Sequence, residues 1–194
     1  MKRWHGGKFV LANLAYKVMS LVMAKTILQV LAYSYAYGIY MFFDFAGYSL
    51  MAIGTGYMLG IKVPENFNKP FISTDMKDFW ARWHISLSEW FRDFIFTRFI
   101  MSSMKKKRFK TRLTTASVGF IINMFVMGIW HGLAIQYLVY GLYHGVLLAL
   151  TEIYQKKSKF HKKNKKKRWY KIVSWAITMN FVMFGFLIFS GHII

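Results

Sequence analysis

Six apolar blocks, at about residues 9–24, 26–43, 45–61, 113–130, 132–150 and 172–193, leave this chain too little polar surface to meet water on all sides. A helix crosses a bilayer with about 20 apolar residues, and each block is of that length or close to it. In hydrocarbon every backbone N–H and C=O must be satisfied within the segment, so such blocks fold as helices. The expectation is an all-α, multi-pass transmembrane helical bundle of about five or six spans, forming a single membrane domain over residues 1–194.

The charge is distributed to match. Of the 27 basic residues, 16 fall in two short tracts, 105–112 and 156–171. Lys/Arg-rich loops beside apolar spans stay on the cytoplasmic side, where they also meet anionic headgroups. The formal charge of +20 is thus a property of two basic cytoplasmic loops rather than of one binding face, which argues against nucleic acid as a partner. With both tracts inside, blocks 113–130 and 132–150 go out and return, and 172–193 ends outside; the expected location is the cytoplasmic membrane. Lys17 interrupts the first block and Lys25 divides it from the second, which leaves one long tilted helix or a tight hairpin open. Basic residues at the start, followed by apolar sequence, imitate a signal peptide. No small-residue cleavage site follows, however, so the first block reads as a membrane helix.

The stretch from 62 to 104 breaks the pattern, since it holds five of the seven acidic residues: Glu65, Asp75, Asp78, Glu89 and Asp93. Pro64 and Pro70 bracket an extended piece, and Ser73 or Thr74 offers an N-cap with Asp75 and Asp78 in the first turn. Trp80, Trp83, Trp90, Phe91 and Phe94 then alternate with Arg82, Arg92 and Arg98, a mixture suited to an interfacial or re-entrant helical segment.

Chemistry in an oily chain falls to its few ionisable groups. His131 ends an apolar block in Gly128-Ile129-Trp130-His131-Gly132, and an ionisable group at that depth faces either a cavity or a partner. It reads as a functional base or as a neutral histidine bonded between helices, with its glycines serving close packing. His144 reads as a packing residue, and Asp44 as a hydrogen-bond anchor partnered by Tyr48, Ser49 or a distant cation. His84 has Arg82, Glu89, Arg92 and Asp93 within about three turns, enough to orient an imidazole or bind an anion. No His-Glu-x-x-His motif, short histidine spacing, Gly-x-Ser-x-Gly elbow or phosphate-cradling loop is present, so no metal is expected. The absence of cysteine excludes a thiolate nucleophile and an acyl-cysteine intermediate on this chain.

Three runs, FFDFAGYSLMAIGTGYMLGI, PENFNKPFIS followed by DFWARWHISLSEWFRDFIF, and MGIWHG, together resemble the core of the membrane-bound O-acyltransferase family, in the family's order and over residues 40–145. Two landmark histidines mark the active region of that family, and His84 and His131 match them, with His131 the one assigned to catalysis. Alginate O-acetyltransferases share these motifs. The flank TRFIMSSMKKKRFKTRLTT and the ending FGFLIFSGHII look more like the D-alanyl-transfer branch of Gram-positive bacteria. Family members are longer, and Met1–Gln29 is the least family-like part, so the chain is expected to be the C-terminal portion of such a fold.

The resemblance implies transfer of D-alanine from the phosphopantetheine thioester of a small acidic carrier protein toward lipoteichoic acid. The chain itself would bind no cofactor, because the phosphopantetheine belongs to the carrier. Membrane lipid, the lipoteichoic acid acceptor and other D-alanylation membrane proteins are the remaining implied partners. The tract Lys105–Arg112 would steer the carrier or be held by anionic lipid. O-acetylation of an extracellular polysaccharide and a non-catalytic scaffold are the alternatives.

Overall fold

The computed structural model describes residues 26–193, and the block at 9–24 lies outside them. The first element, α1 (Ile27–Met58), opens on a capping box in which Gln29 N–H donates to Thr26 Oγ1 and Thr26 N–H to Gln29 Oε1. It is one uninterrupted helix of 32 residues, which corrects the expectation of separate blocks at 26–43 and 45–61. Asp44 does not divide them, because an aspartate within a helix costs only a few tenths of a kcal/mol in propensity and leaves its backbone bonds intact. It makes no hydrogen bond or ion pair with Tyr48, Ser49 or any described cation, so the anchor reading is also corrected.

Between residues 62 and 104 the chain forms short pieces: a 3₁₀ turn (Pro70–Ile72), α2 (Met76–Trp80), α3 (Ile85–Phe91), a π-helical turn (Arg92–Phe96) and α4 (Thr97–Lys105). Asp75 caps α2, accepting from the N–H groups of Lys77 at 2.9 Å and Asp78 at 3.0 Å. Ser73, expected as a cap, instead donates to the Pro70 carbonyl at 2.7 Å and is engaged in the preceding turn. Lys77 pairs with Glu152 at 2.7 Å, and Gln155 donates to Asp75 at 3.0 Å, which ties α2 to the helix that carries both partners.

That helix is α6 (Ile135–Lys157), which forms an antiparallel hairpin with α5 (Arg112–His131). The two approach through glycine: an added Cβ would meet the Tyr137 carbonyl at Gly128, the Met124 carbonyl at Gly141, and the Ile121 backbone at Gly145. Small residues that let backbones touch are the usual means by which apolar helices associate without a hydrophobic drive. The hairpin places 105–112 and 156–171 at the same end, as their shared basic character requires. The second tract is a correction in detail. It is the end of α6, a short helix α7 (Lys159–Asn164) capped by Ser158, and the start of α8 (Arg168–Phe189), because lysine is a good helix former.

A cluster of rings joins α8 to α1 and the short pieces. Phe79 stacks on Trp83 at 5.7 Å, Phe186 tilts against Trp83 at 4.9 Å, and Phe42 meets Phe67 and Phe71 edge-on. By length and composition two helices, Arg112–His131 and Arg168–Phe189, suffice to cross a membrane. The expected count of five or six is not reached on that measure among the described residues. Tyrosines and Asp44 dilute α1, and Gln136, His144 and Glu152 dilute α6.

Gly141→Val should lower the melting temperature of the detergent-solubilised protein by several degrees, because the new side chain forces the hairpin apart. Gly47→Ala, at a position with nothing within 4 Å, should leave it unchanged or raise it. Equal melting of both variants would remove the glycine contact as the determinant of the hairpin.

Candidate active site

His84 stands in the turn between α2 and α3, outside the long apolar helices, with φ 47° in the left-handed region. A loop clamps that turn. Ile85 N–H donates to the Asn66 carbonyl and Asn68 N–H to the Arg82 carbonyl, both at 3.0 Å. The side chain of Asn66 then accepts from both the N–H and the hydroxyl of Ser86, while its NH₂ donates to Ser49 on α1 at 3.3 Å. Asn66 thus fastens the loop, the turn and α1 together. The His84 ring lies edge-on to Phe45 at 4.6 Å, and its Nδ1 is buried with no hydrogen-bond partner among the described residues.

His131 arrives from another direction. It is the last residue of α5, which stops because Gly132 turns away at φ 150°. Rings enclose it: Trp130 at 4.9 Å, Phe189 at 5.1 Å, Tyr137 at 6.1 Å and Tyr140 at 6.5 Å. No described residue hydrogen-bonds its nitrogens, so the interhelical bond of the bland reading is not made, although Gly128 does pack closely. The two candidates sense each other: burial first, and then the proximity of His131, hold the His84 imidazole well below its usual value, at about 4. His84 is therefore neutral at physiological pH, as is expected of an imidazole set beside another.

Of the polar neighbours expected around His84, Arg82 pairs with Asp78 at 2.6 Å, and Arg92 with Asp93 at 2.9 Å and Glu89 at 3.7 Å. They balance one another rather than orient the imidazole. His144 is the packing residue the sequence implied. It is wholly buried, it accepts from Trp80 Nε1 at 3.3 Å, and its ring rests against Gly185, where any Cβ would collide with it.

A cavity of about 330 Å³ lies between α2, α3 and the α5–α6 hairpin. Ile85, beside His84, and Met127, one turn before His131, help to line it. Lys77, Glu89 and Arg92 supply charge elsewhere on its wall. Asn123, 8% exposed, also lines it, and the Oδ1 of Asn123 has no partner among the described residues. Neither asparagine was singled out from sequence. In the sequence the run Pro64-Glu65-Asn66-Phe67-Asn68 stands only as part of a longer motif, and Asn123 looks like any polar residue within an apolar block.

Comparison with known proteins decides the family. The sequence model of the membrane-bound O-acyltransferase family matches residues 7–193. The chain belongs to the membrane-bound O-acyltransferase family. Within it, the chain is 50% identical over 178 residues to a teichoic acid D-alanyltransferase of Bacillus subtilis, covering 91% of this chain and 45% of that protein. It is 49% identical over 175 residues to a teichoic acid D-alanyltransferase of Streptococcus thermophilus, covering 86% of this chain and 42% of that one. A probable alginate O-acetylase of Pseudomonas fluorescens is 40% identical over 157 residues, 81% of this chain and 29% of that protein. The chain therefore spans less than half the length of these O-acyltransferase relatives.

Asn66→Ala removes three side-chain hydrogen bonds, and a loss of about 2–3 kcal/mol is expected at roughly 1 kcal/mol each. Thermal unfolding in detergent would measure it, and a stability equal to wild type would show that the clamp does not hold the His84 turn.

Proposed function

We propose that this chain carries the acyl-transfer centre of a teichoic acid D-alanyltransferase. It would move D-alanine from the phosphopantetheine thioester of an acidic carrier protein to a hydroxyl leading to lipoteichoic acid. The observation that carries this is that two imidazoles from separate parts of the sequence lie near enough to interact electrostatically, with His131 free of any described hydrogen-bond partner and the residues Ile85 and Met127 beside them lining one cavity. Similarity supports the substrate, since the D-alanyltransferase relatives reach 50% identity against 40% for the alginate O-acetylase named above.

In this reading neutral His131 takes the proton of the acceptor hydroxyl as its oxygen attacks the thioester carbonyl. The new C–O bond forms, the C–S bond breaks, and the proton passes to the departing thiolate, which leaves as a thiol. General-base help of this kind is worth about 10² to 10⁴ in rate. His84, neutral and held by the Asn66 clamp, supplies a second imidazole to orient or share the proton. The 330 Å³ cavity with the unpartnered Asn123 amide suits an extended donor arm that contains amide groups. The chain itself holds no cofactor in this scheme.

The four long helices α1, α5, α6 and α8 cross the cytoplasmic membrane, and the basic end of the bundle faces the cytoplasm, where the carrier docks. Other D-alanylation membrane proteins and the lipoteichoic acid acceptor complete the set of partners.

The test is the D-alanine ester content of lipoteichoic acid in cells lacking their own transferase and supplied with a protein carrying this sequence, its His131→Ala form, or empty vector. Restoration by the first and a drop of at least about 10²-fold in initial rate for His131→Ala are expected. The proposal is falsified if the inserted wild-type protein restores no D-alanyl ester, or if His131→Ala restores as much as wild type. Acetyl rather than D-alanyl ester on the cell's polysaccharides would transfer the chain to the acetylase reading.

A further inference from the structure

A D-alanyl thioester carries, besides its reactive carbonyl, an α-amino group that is protonated at neutral pH. That nitrogen is fixed ~2.5 Å from the carbonyl carbon by covalent geometry. With His131 hydrogen-bonded to the attacking oxygen, the ammonium comes within about 6 Å of the imidazole. A cation brought out of water at this depth needs partners there.

Among the described residues those partners are not carboxylates. None comes within electrostatic reach of His131. Asp75 caps α2, Asp78 pairs with Arg82, Glu152 with Lys77, and Glu89 and Asp93 with Arg92. A carboxylate beside His131 would also favour the imidazolium and so disable the base. The face of an aromatic ring attracts a cation through its quadrupole and carries no full charge to do this.

Rings are what the neighbourhood supplies. Trp130, Phe189, Tyr137 and Tyr140 all have centroids between 4.9 and 6.5 Å from that of His131. Trp130 is 58% exposed, and Tyr137 and His131 are half-buried, so the faces border space that a small group can enter. Oxygen acceptors converge on the same place. The phenol oxygen of Tyr37, on α1, is within electrostatic reach of those of Tyr137 and Tyr140. None of the three hydroxyls makes a hydrogen bond with a described residue. For Tyr140, buried in the core, an unpartnered hydroxyl is costly, and an ammonium with three N–H donors would satisfy it. We propose that these rings and phenol oxygens recognise the ammonium of the D-alanyl group, with Tyr137 and Tyr140 as the specificity-determining residues. The inference rests on the acyl-transfer reading and adds to it the reason that a donor with an amine is preferred to one without.

Membranes holding the full chain would be given the acidic carrier protein loaded through its phosphopantetheine with either D-alanine or propionate, and the initial rate of transfer to membrane acceptor measured for each. Propionyl differs from D-alanyl only in lacking the amine. Wild type should prefer D-alanyl by at least about tenfold. Tyr137→Leu should cut that preference about tenfold. Tyr140→Phe, which removes one hydroxyl and keeps the ring, should cut it about fivefold. Tyr170→Phe, at the basic end of the bundle, where the hydroxyl meets His161 and Tyr154, should keep the wild-type preference. The preference is a ratio measured on one preparation, so a variant that folds less well lowers both rates and leaves it readable. Transfer of neither group by the inserted wild type would defeat the acyl-transfer reading and this inference with it. Transfer of both groups at equal rates would leave that reading standing and overturn the ammonium site alone, as would wild-type preference in Tyr137→Leu or in Tyr140→Phe. An equal fall of both rates in Tyr140→Phe would assign its hydroxyl to the carbonyl oxygen or to the fold, and likewise overturn its role toward the amine.

Discussion

The backbones of α5 and α6 touch, and nearly everything of functional interest hangs from that contact. Gly128, Gly141 and Gly145 bring the two helices close enough that any side chain there would collide with main-chain atoms. With this separation fixed, the short turn at Gly132 closes the hairpin and half-buried His131 lies against Phe189 and Tyr140. The same register puts His144 beside Trp80 and lets α8 approach over Gly185. In hydrocarbon there is no water to expel from between helices, so the fit of backbone against backbone carries the stability that a soluble bundle draws from burying leucine.

Around this hairpin the segment between α1 and α5 behaves as an inserted wedge. Its rings, Phe79 and Trp83 above all, pack into the middle of the bundle, while its charges pair among themselves or with Glu152 near the surface. That division explains how a stretch so rich in acids occupies the interior. The apolar body of each turn is buried and the ionic ends stay outside. The left-handed conformation at His84 follows from the same geometry, because the turn must reverse between two short helices while Asn66 holds it on both sides.

The helices and the distinctness of residues 62–104 were legible in the sequence, because each is written in local pattern. The continuity of α1 was not. Asp44 looks like an interruption in the sequence, yet the helix runs through it unbroken. The end of α6 was placed too early for a related reason, since lysines read as loop under the topology rule although they extend a helix well. Asn66 and Asn123 could not be found at all by such reasoning. What distinguishes them is which distant group each meets or fails to meet, and that information exists only in three dimensions.

The length of α1 has a mechanical side. At about 1.5 Å per residue its 32 residues reach about 48 Å, against a hydrocarbon layer of about 30 Å. A helix crossing on that scale must tilt steeply, push a turn or more out of the bilayer, or draw the lipid around it thicker. Because Phe45 and Ser49 on this same helix touch the His84 ring and the Asn66 clamp, its inclination is geared to the His84 turn. Acyl-chain length in the surrounding lipid thereby becomes a variable of the geometry around His84, through hydrophobic mismatch.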